Sequence, residues 1–263
     1  MPELPDVELY RRYFSETSLN KKIKEVIISD NSMLGKVSAD KLISSLKDKK
    51  FSDTKRIGKY MFAKAGDNWL VLHYGMTGYL EYFKNADDKP SYTKLQIQFG
   101  NGYNLAYVCI RKLGVIDLTG NLEKFINSHK LGPDPLDNNF GYDDFNKIVS
   151  KGRGKIKSFF MNQKNIAGLG NMYVDELLFQ TSLHPESDIS RLDKKTIHQL
   201  YKNMNRILHK AIDKDAEIDK LPASYLISHR KKGAACPRCK GKIEVKKLSG
   251  RSTYFCNTHQ ERI

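Results

Sequence analysis

The chain has 263 residues, 40% of them apolar, and carries 45 Lys and Arg against 30 Asp and Glu, a formal charge of +15. That length and apolar content suffice for two domains with cores of their own, and the apolar runs are strand-sized, too short to span a membrane. The charge points to a polyanionic partner, either nucleic acid or an acidic membrane surface.

The opening residues, Met1-Pro2-Glu3-Leu4-Pro5-Asp6-Val7-Glu8, set a nucleophile beside an acid/base. With Met1 removed, the chain starts at the secondary amine of Pro2, and the carboxylate of Glu3 follows directly. An α-amine titrates near pH ~8, so modest desolvation leaves it neutral and able to attack an electrophilic carbon. A proline nitrogen attacking an aldehyde carbon gives a charged iminium. The same residues suit a plainer role, with Pro2 and Pro5 stiffening the lead-in to a helix near Asp6 and the acids favouring its N-terminus. Acidic Glu3, Asp6 and Glu8 also stand where a signal peptide would carry basic charge, so the expected location is the cytosol, or the nucleoid if the polyanion is DNA.

Val7, Tyr10, Phe14 and Leu19 share one helical face, after which Ile23 to Ser29 turns β-branched. A short helix capped by Ser38 runs through Leu42 to Leu46. Strands are expected at Phe51 to Arg56, Tyr60 to Lys64, Trp69 to His73, Gly78 to Phe83, Lys94 to Phe99, Leu105 to Ile110 and Gly114 to Leu118. Several alternate polar and apolar residues, and turn signals such as Gly100-Asn101-Gly102 separate them at hairpin spacing, so the N-terminal half reads as an antiparallel sandwich or barrel. The breaker-rich stretch from Leu131 to Asn139 reads as a linker. Beyond it Ile197, Leu200, Tyr201, Met204, Ile207, Leu208 and Ala211 mark one face of a long helix. Earlier, Ile166-Ala-Gly168-Leu-Gly170-Asn171 forms a glycine-rich turn between two helical stretches, a weak sign of a backbone cradle for phosphate.

The last segment carries the sharpest pattern. Cys236-Pro-Arg-Cys239, sixteen intervening residues and Cys256-Asn-Thr-His259 supply four ligands as two knuckles flanking a hairpin. A segment this short has too little core to fold without a staple, so a structural zinc is expected. With all four positions filled by protein, no site remains for a catalytic water. Cys109, inside an apolar strand, reads as a buried thiol. The basic charge is concentrated here, with ten Lys and Arg against two Glu from His229 to Ile263.

Taken together, these motifs resemble the formamidopyrimidine-DNA glycosylase and endonuclease VIII family of base-excision repair enzymes. The resemblance is carried nearly end to end by Pro2-Glu3-Leu4-Pro5 with Glu8, Gly58-Lys59-Tyr60, His73-Tyr-Gly75-Met76-Thr-Gly78, Leu131-Gly-Pro-Asp-Pro-Leu136, Ile156-Lys157 through Gly168-Leu-Gly-Asn171-Met-Tyr173, and the finger. Leu4 favours the formamidopyrimidine branch. The implied fold is multi-domain α+β: an N-terminal antiparallel β-sandwich (1–125), a linker (126–145), a helix–two-turns–helix module (146–228) and a zinc finger β-hairpin (229–263).

The implied activity is a bifunctional DNA glycosylase and abasic-site lyase, acting as a monomer on double-stranded or partly single-stranded DNA that carries oxidised bases or abasic sites. Pro2 would be the nucleophile, Glu3 would handle protons on the sugar oxygen, and Lys59 would bind phosphate beside them. Asn171 would grip the backbone, Arg251 would reach a phosphate beside the lesion, and His73 and Lys157 would be further phosphate contacts. Asp6 and Glu176 would support the active site, while Met76, Arg111 and Leu113 would fill the gap left by a flipped nucleotide. The zinc ligands would be Cys236, Cys239, Cys256 and His259. The chain departs from the family pattern at Asp6, where Glu is usual, at His259, where Cys is usual, and at Leu113, where an aromatic is usual. The segment from Lys214 to Lys231 is also short for a loop that covers an oxidised purine, which leaves lesion preference open. A non-catalytic binder of damaged or structured nucleic acid on the same fold is the alternative.

Overall fold

The alternating strands of the N-terminal half close into two antiparallel four-stranded sheets in the structure, a computed structural model that describes residues 1–263. The elements run α1 (Leu4–Ser18), β1 (Ile23–Ile28), α2 (Ala39–Leu46), β2 (Phe51–Ile57), β3 (Tyr60–Ala65), β4 (Asn68–His73), β5 (Gly78–Phe83), β6 (Thr93–Phe99), β7 (Asn104–Cys109) and β8 (Val115–Thr119). One sheet has the order β1-β6-β7-β5 and the other β2-β3-β4-β8. Their inward residues form one core: Val26, Leu95, Ile97, Leu105 and Tyr107 from the first, and Met61, Ala63, Leu70 and Leu72 from the second. Val7 and Phe14 of α1 and Leu42 and Leu46 of α2 close its sides. This is the sandwich form of the sequence expectation, with its strands bounded within a residue or two. Ser38 caps α2 as expected, accepting from Lys41 N. Helix α1 starts at Leu4, earlier than Asp6, because Pro5 suits a first turn that needs no donor there.

Helix α3 (Leu122–His129) follows, and its Phe125 packs on the outer face of the second sheet with Phe62, Trp69 and Val71. That contact is why the expected linker at 126–145 is shorter in the structure: α3 takes its first residues, and α4 (Tyr142–Val149) takes its last. Then come α5 (Ile156–Met161), α6 (Asn171–Gln180), the long α7 (Lys194–Asp213) and the hairpin of β9 (Glu244–Leu248) and β10 (Arg251–Phe255). The chain divides into two compact units, Met1–Pro2 with Asp6–His129, and Glu3–Pro5 with Lys130–Ile263. No helix is long and apolar enough to cross a membrane.

Candidate active site and nucleic-acid interface

In the second unit, the first turn of α6 leaves backbone N–H groups without helical partners. Two of them are met by Glu3: Met172 N donates to its Oε1 at 2.9 Å and Tyr173 N to its Oε2 at 3.3 Å. Leu4 N donates to Gly168 O at 3.1 Å. The glycines make this approach possible. A Cβ on Gly170 would lie 2.2 Å from Glu3 Cδ, and one on Gly168, whose φ is +98°, would lie 2.5 Å from Leu4 Cδ1. The anion at this helix N-terminus is therefore the protein's own carboxylate, and the glycine turn, in sequence only a weak sign of a phosphate cradle, admits Glu3 and Leu4. Gln163 staples the turn, accepting from Gly168 N at 2.8 Å and donating to Leu169 O at 2.7 Å, a part that no sequence motif announced. Glu3 is only 2% exposed, so its carboxyl is held in one orientation, and Pro2 is joined to it by one peptide bond.

In the first unit, Glu8 is a node. It accepts from Arg11 Nη2 at 2.7 Å, Arg12 Nε at 3.0 Å and Arg56 Nε at 3.3 Å. Burial pushes its carboxyl up, but the three guanidinium groups outweigh burial and hold it below its ordinary value. Arg56 in turn donates to Gly58 O at 3.1 Å. Gly58, at φ +57°, makes the two-residue turn that presents half-buried Lys59 between β2 and β3. Asp6 sits half-buried in the first turn of α1, where its charge adds to burial in pushing Tyr10 up to about 12.

His73 ends β4, its ring against Tyr60 at 4.8 Å. Burial first, and the Lys59 charge second, push it down to about 4. It is therefore neutral at pH 7. Gly75 N donates to its Nδ1 at 3.3 Å, which leaves the proton on Nε2 as a donor.

Two turns present the three expected gap-filling residues to solvent or near it: Met76 lies between β4 and β5, and Arg111 and Leu113 lie between β7 and β8. Leu113 is 51% exposed, Arg111 is exposed and Met76 is half-buried. Leu113 is thus not part of the core. Arg111 N donates to Thr77 Oγ1 at 3.0 Å, and Tyr107 Oη donates to His73 O at 2.9 Å. Gly75, at φ +58°, passes so close to the Leu113 backbone that a Cβ there would lie 2.4 Å from it. These contacts fix the two turns from behind while leaving their side chains outward.

Lys157 departs from expectation. It is 2% exposed, and its Nζ is spent inside the second unit, 2.6 Å from Asp175 Oδ1 and 2.7 Å from Thr253 Oγ1. An ammonium held there has no reach to a phosphate. The other second-unit residues named from sequence lie around α6 and β10. Arg251 is exposed at the start of β10, and Asn171 opens α6 with Nδ2 donating to Ser252 O at 2.9 Å. Glu176 is fully buried and accepts from Gln180 Nε2 at 2.7 Å and Ile227 N at 2.8 Å, so it anchors the end of the 214–231 segment. Burial pushes its carboxyl up to about 7, against those hydrogen bonds and Arg230.

In the finger, the Sγ atoms of Cys236, Cys239 and Cys256 lie within 4.8 Å of one another. Gly241 N donates to Cys239 Sγ at 3.3 Å and holds that thiol below its ordinary value. This thiol set fits zinc. His259 is outside the group: its Nε2 lies 3.0 Å from Phe179 O, leaving Nδ1 as the nitrogen free to serve a metal. The apolar bed of the finger, Leu226, Ile243 and the buried cysteines, packs on Phe179 of α6. Cys109 is buried, as expected.

Three family models cover this chain in order. Residues 1–116 match the formamidopyrimidine-DNA glycosylase N-terminal domain, 131–222 the formamidopyrimidine-DNA glycosylase H2TH domain, and 233–258 the zinc finger found in FPG and IleRS. The chain belongs to the formamidopyrimidine-DNA glycosylase family. It is 33% identical over 270 residues to the formamidopyrimidine-DNA glycosylase of Mycoplasma genitalium, covering 97% of this chain and 94% of that one. It is 31% identical over 274 residues to the enzyme of that name from Streptococcus thermophilus, covering all of both. Its structure is similar to that of Lactococcus lactis Fpg in complex with abasic-site DNA, with a TM-score of 0.89, 30% identity, and coverage of 99% of this chain and 100% of that one. It is equally similar to MutM in complex with DNA containing carbocyclic 8-oxo-G, at a TM-score of 0.90 and 29% identity over 99% and 100% of the two chains. The third of these models accounts for the finger as a zinc finger.

Proposed function

We propose that this chain is a bifunctional DNA glycosylase and abasic-site lyase of base excision repair, acting on DNA with oxidised bases or abasic sites. The observation that carries the reading is Glu3, held at the N-terminus of α6 by Met172 and Tyr173 and covalently next to Pro2. An acid/base fixed beside an N-terminal secondary amine is the pair that Schiff-base chemistry on a sugar needs.

The target nucleotide is extruded from the stack. With Met1 removed, the lone pair of Pro2 N attacks C1′, the bond from C1′ to the base breaks with its electron pair leaving on the base, and the proton of the resulting Pro2 ammonium passes to the departing base, which frees the nitrogen lone pair. Glu3 protonates O4′ as the C1′–O4′ bond opens, leaving a C1′=N⁺ iminium on Pro2. That cation acidifies C2′: a base removes its proton, the C3′–O3′ bond breaks, and the 3′ phosphate leaves. Water then hydrolyses the iminium and frees Pro2. Lys59 and the Nε2–H of His73 in the first unit, and Asn171 and Arg251 in the second, donate to phosphates. Met76, Arg111 and Leu113 occupy the vacated stack. A zinc would be held by the three cysteines, with His259 as the fourth ligand through Nδ1, and would stabilise the finger without entering the chemistry. Such an enzyme works in the cytoplasm on nucleoid DNA.

Nicking of a duplex with one preformed abasic site tests the reading directly. The enzyme should cut it, and Glu3→Gln should lose excision of a damaged base more severely than this lyase step. Tight binding with no cutting of any substrate would favour the non-catalytic alternative.

A further inference from the structure

We propose that Asp175 is a positioning residue for DNA binding, the knot that docks the finger hairpin on the helical module so that Arg251 and Asn171 face the DNA. The proposal rests on the reading of those two residues as phosphate contacts. Strand β10 pairs with β9 on one side only, so its other edge carries unpaired backbone groups. In an extended strand, the carbonyl of one residue and the N–H two residues later point the same way. Ser252 O and Tyr254 N are such a pair, and α6 meets both. Asn171 Nδ2 donates to Ser252 O at 2.9 Å, and Asp175 Oδ2 accepts from Tyr254 N at 3.1 Å. Thr253, between them, points inward to Lys157 Nζ at 2.7 Å. Three successive residues of β10 are thus held by three side chains of α5 and α6, and Arg251 is the next residue along.

Asp175 ties these holds together. Its Oδ1 takes Lys157 Nζ at 2.6 Å, and its Oδ2 takes both Tyr254 N and Arg230 Nη1, the latter at 2.7 Å. Asp175 is 1% exposed and Lys157 2% exposed. Arg230 also lies over the Tyr254 ring, 4.5 Å from its centroid. A buried Lys157 and a half-buried Arg230 on one buried carboxylate make the docking geometry specific. Apolar packing alone would let the hairpin slide, whereas here a shift breaks a charge-assisted bond. The same docking orients Asn171: with one N–H of its amide given to Ser252 O, the other is aimed by the hairpin's position.

The test is a double-mutant cycle in the full chain, read by binding to a duplex carrying a non-cleavable abasic-site analogue. Asp175→Asn keeps the size and removes the charge. It should raise Kd about tenfold, the loss of roughly one charge-assisted contact, and lower the dependence of log Kd on log salt by about one. In an Arg251→Ala background the same change should cost less than about threefold, because Asp175 acts through Arg251. Zinc should stay at one per chain in each variant, so that loss of the finger is not the cause. Should Asp175→Asn fail to fold, Thr253→Val removes one hold on β10 and leaves the ion pair intact, and it should show a smaller loss with the same coupling. Losses that multiply in the double variant, or an unchanged Kd in the single, overturn the proposal. An Arg251→Ala variant that binds as tightly as the parent overturns it together with the finger contact. Because the probe cannot react, failure of the lyase chemistry leaves the result unaffected.

Discussion

Gly170→Ala is the sharpest local perturbation of the acid/base. The added Cβ would lie 2.2 Å from Glu3 Cδ and 2.4 and 2.6 Å from its two oxygens, where ordinary contact begins at 3.4 Å. The carboxyl must therefore retreat by about 1 Å, which carries it beyond hydrogen-bond reach of Met172 N and Tyr173 N. Losing its acceptor costs the buried Tyr173 N–H about 1–3 kcal/mol when nothing replaces it, and the part-buried Met172 N–H less. The alanine also costs the N-cap position of α6 part of about 1 kcal/mol. The fold should survive that loss. The rate should not, since a 1 Å displacement of a catalytic group costs about 10²-fold. Single-turnover assays on a duplex with an oxidised base and on one with a preformed abasic site would measure the two steps, with circular dichroism as the check on folding. Base excision should fall about 10²-fold and the lyase step less, because the abasic aldehyde needs no glycosidic bond broken. In a Glu3→Ala background Gly170→Ala should cost little more. Parental rates in Gly170→Ala, or a full further loss in the Glu3→Ala background, would refute the reasoning.

Glu176→Gln should alter the pH dependence of stability. The folded-state value near 7 lies above the unfolded one, so the contribution from Glu176 is fully present below the unfolded value and is lost as pH rises toward 7. Relative to the parent, the glutamine variant should gain up to about 3 kcal/mol between pH ~4.5 and ~7, seen in urea midpoints; a constant difference across that window would contradict the burial argument. Serine at Cys236, Cys239 or Cys256 should release the zinc, and His259→Ala should let a chelator remove it faster. Equal retention in His259→Ala would show that Nδ1 is not the fourth ligand. Leu113→Phe should raise excision from duplex DNA more than from single strands, because base–aromatic stacking is worth about 1–3 kcal/mol. Equal change on both substrates would mean that position 113 does not enter the stack.

What could be read before the structure was what local chemistry determines. Alternation placed the strands, Ser38 announced the cap of α2, and the spacing of Cys236, Cys239 and Cys256 announced the metal site. Lys157 could not be placed from sequence, because its burial depends on Asp175 eighteen residues away and Thr253 ninety-six away. The occupant of the glycine turn is hidden from the sequence for the same reason: what Gly170 accommodates is Glu3, whose partner Met172 is 169 residues from it in sequence. Glu8 is legible in sequence as a helix-start acid and part of a motif. Its grip on Arg56, and through it on the turn bearing Lys59, is a tertiary fact. His259 was legible as a ligand by spacing, but which of its nitrogens is free depends on the Phe179 carbonyl.

The central claim is that the covalent intermediate forms on Pro2. Incubating the enzyme with abasic-site DNA and borohydride, then digesting the trapped adduct and locating the modified residue by mass spectrometry, tests it most directly. The adduct should sit on the nitrogen of Pro2 in protein that has lost Met1, and protein that retains Met1 should not be trapped. An adduct on an internal lysine such as Lys59, or equal trapping of Met1-bearing protein, would contradict it.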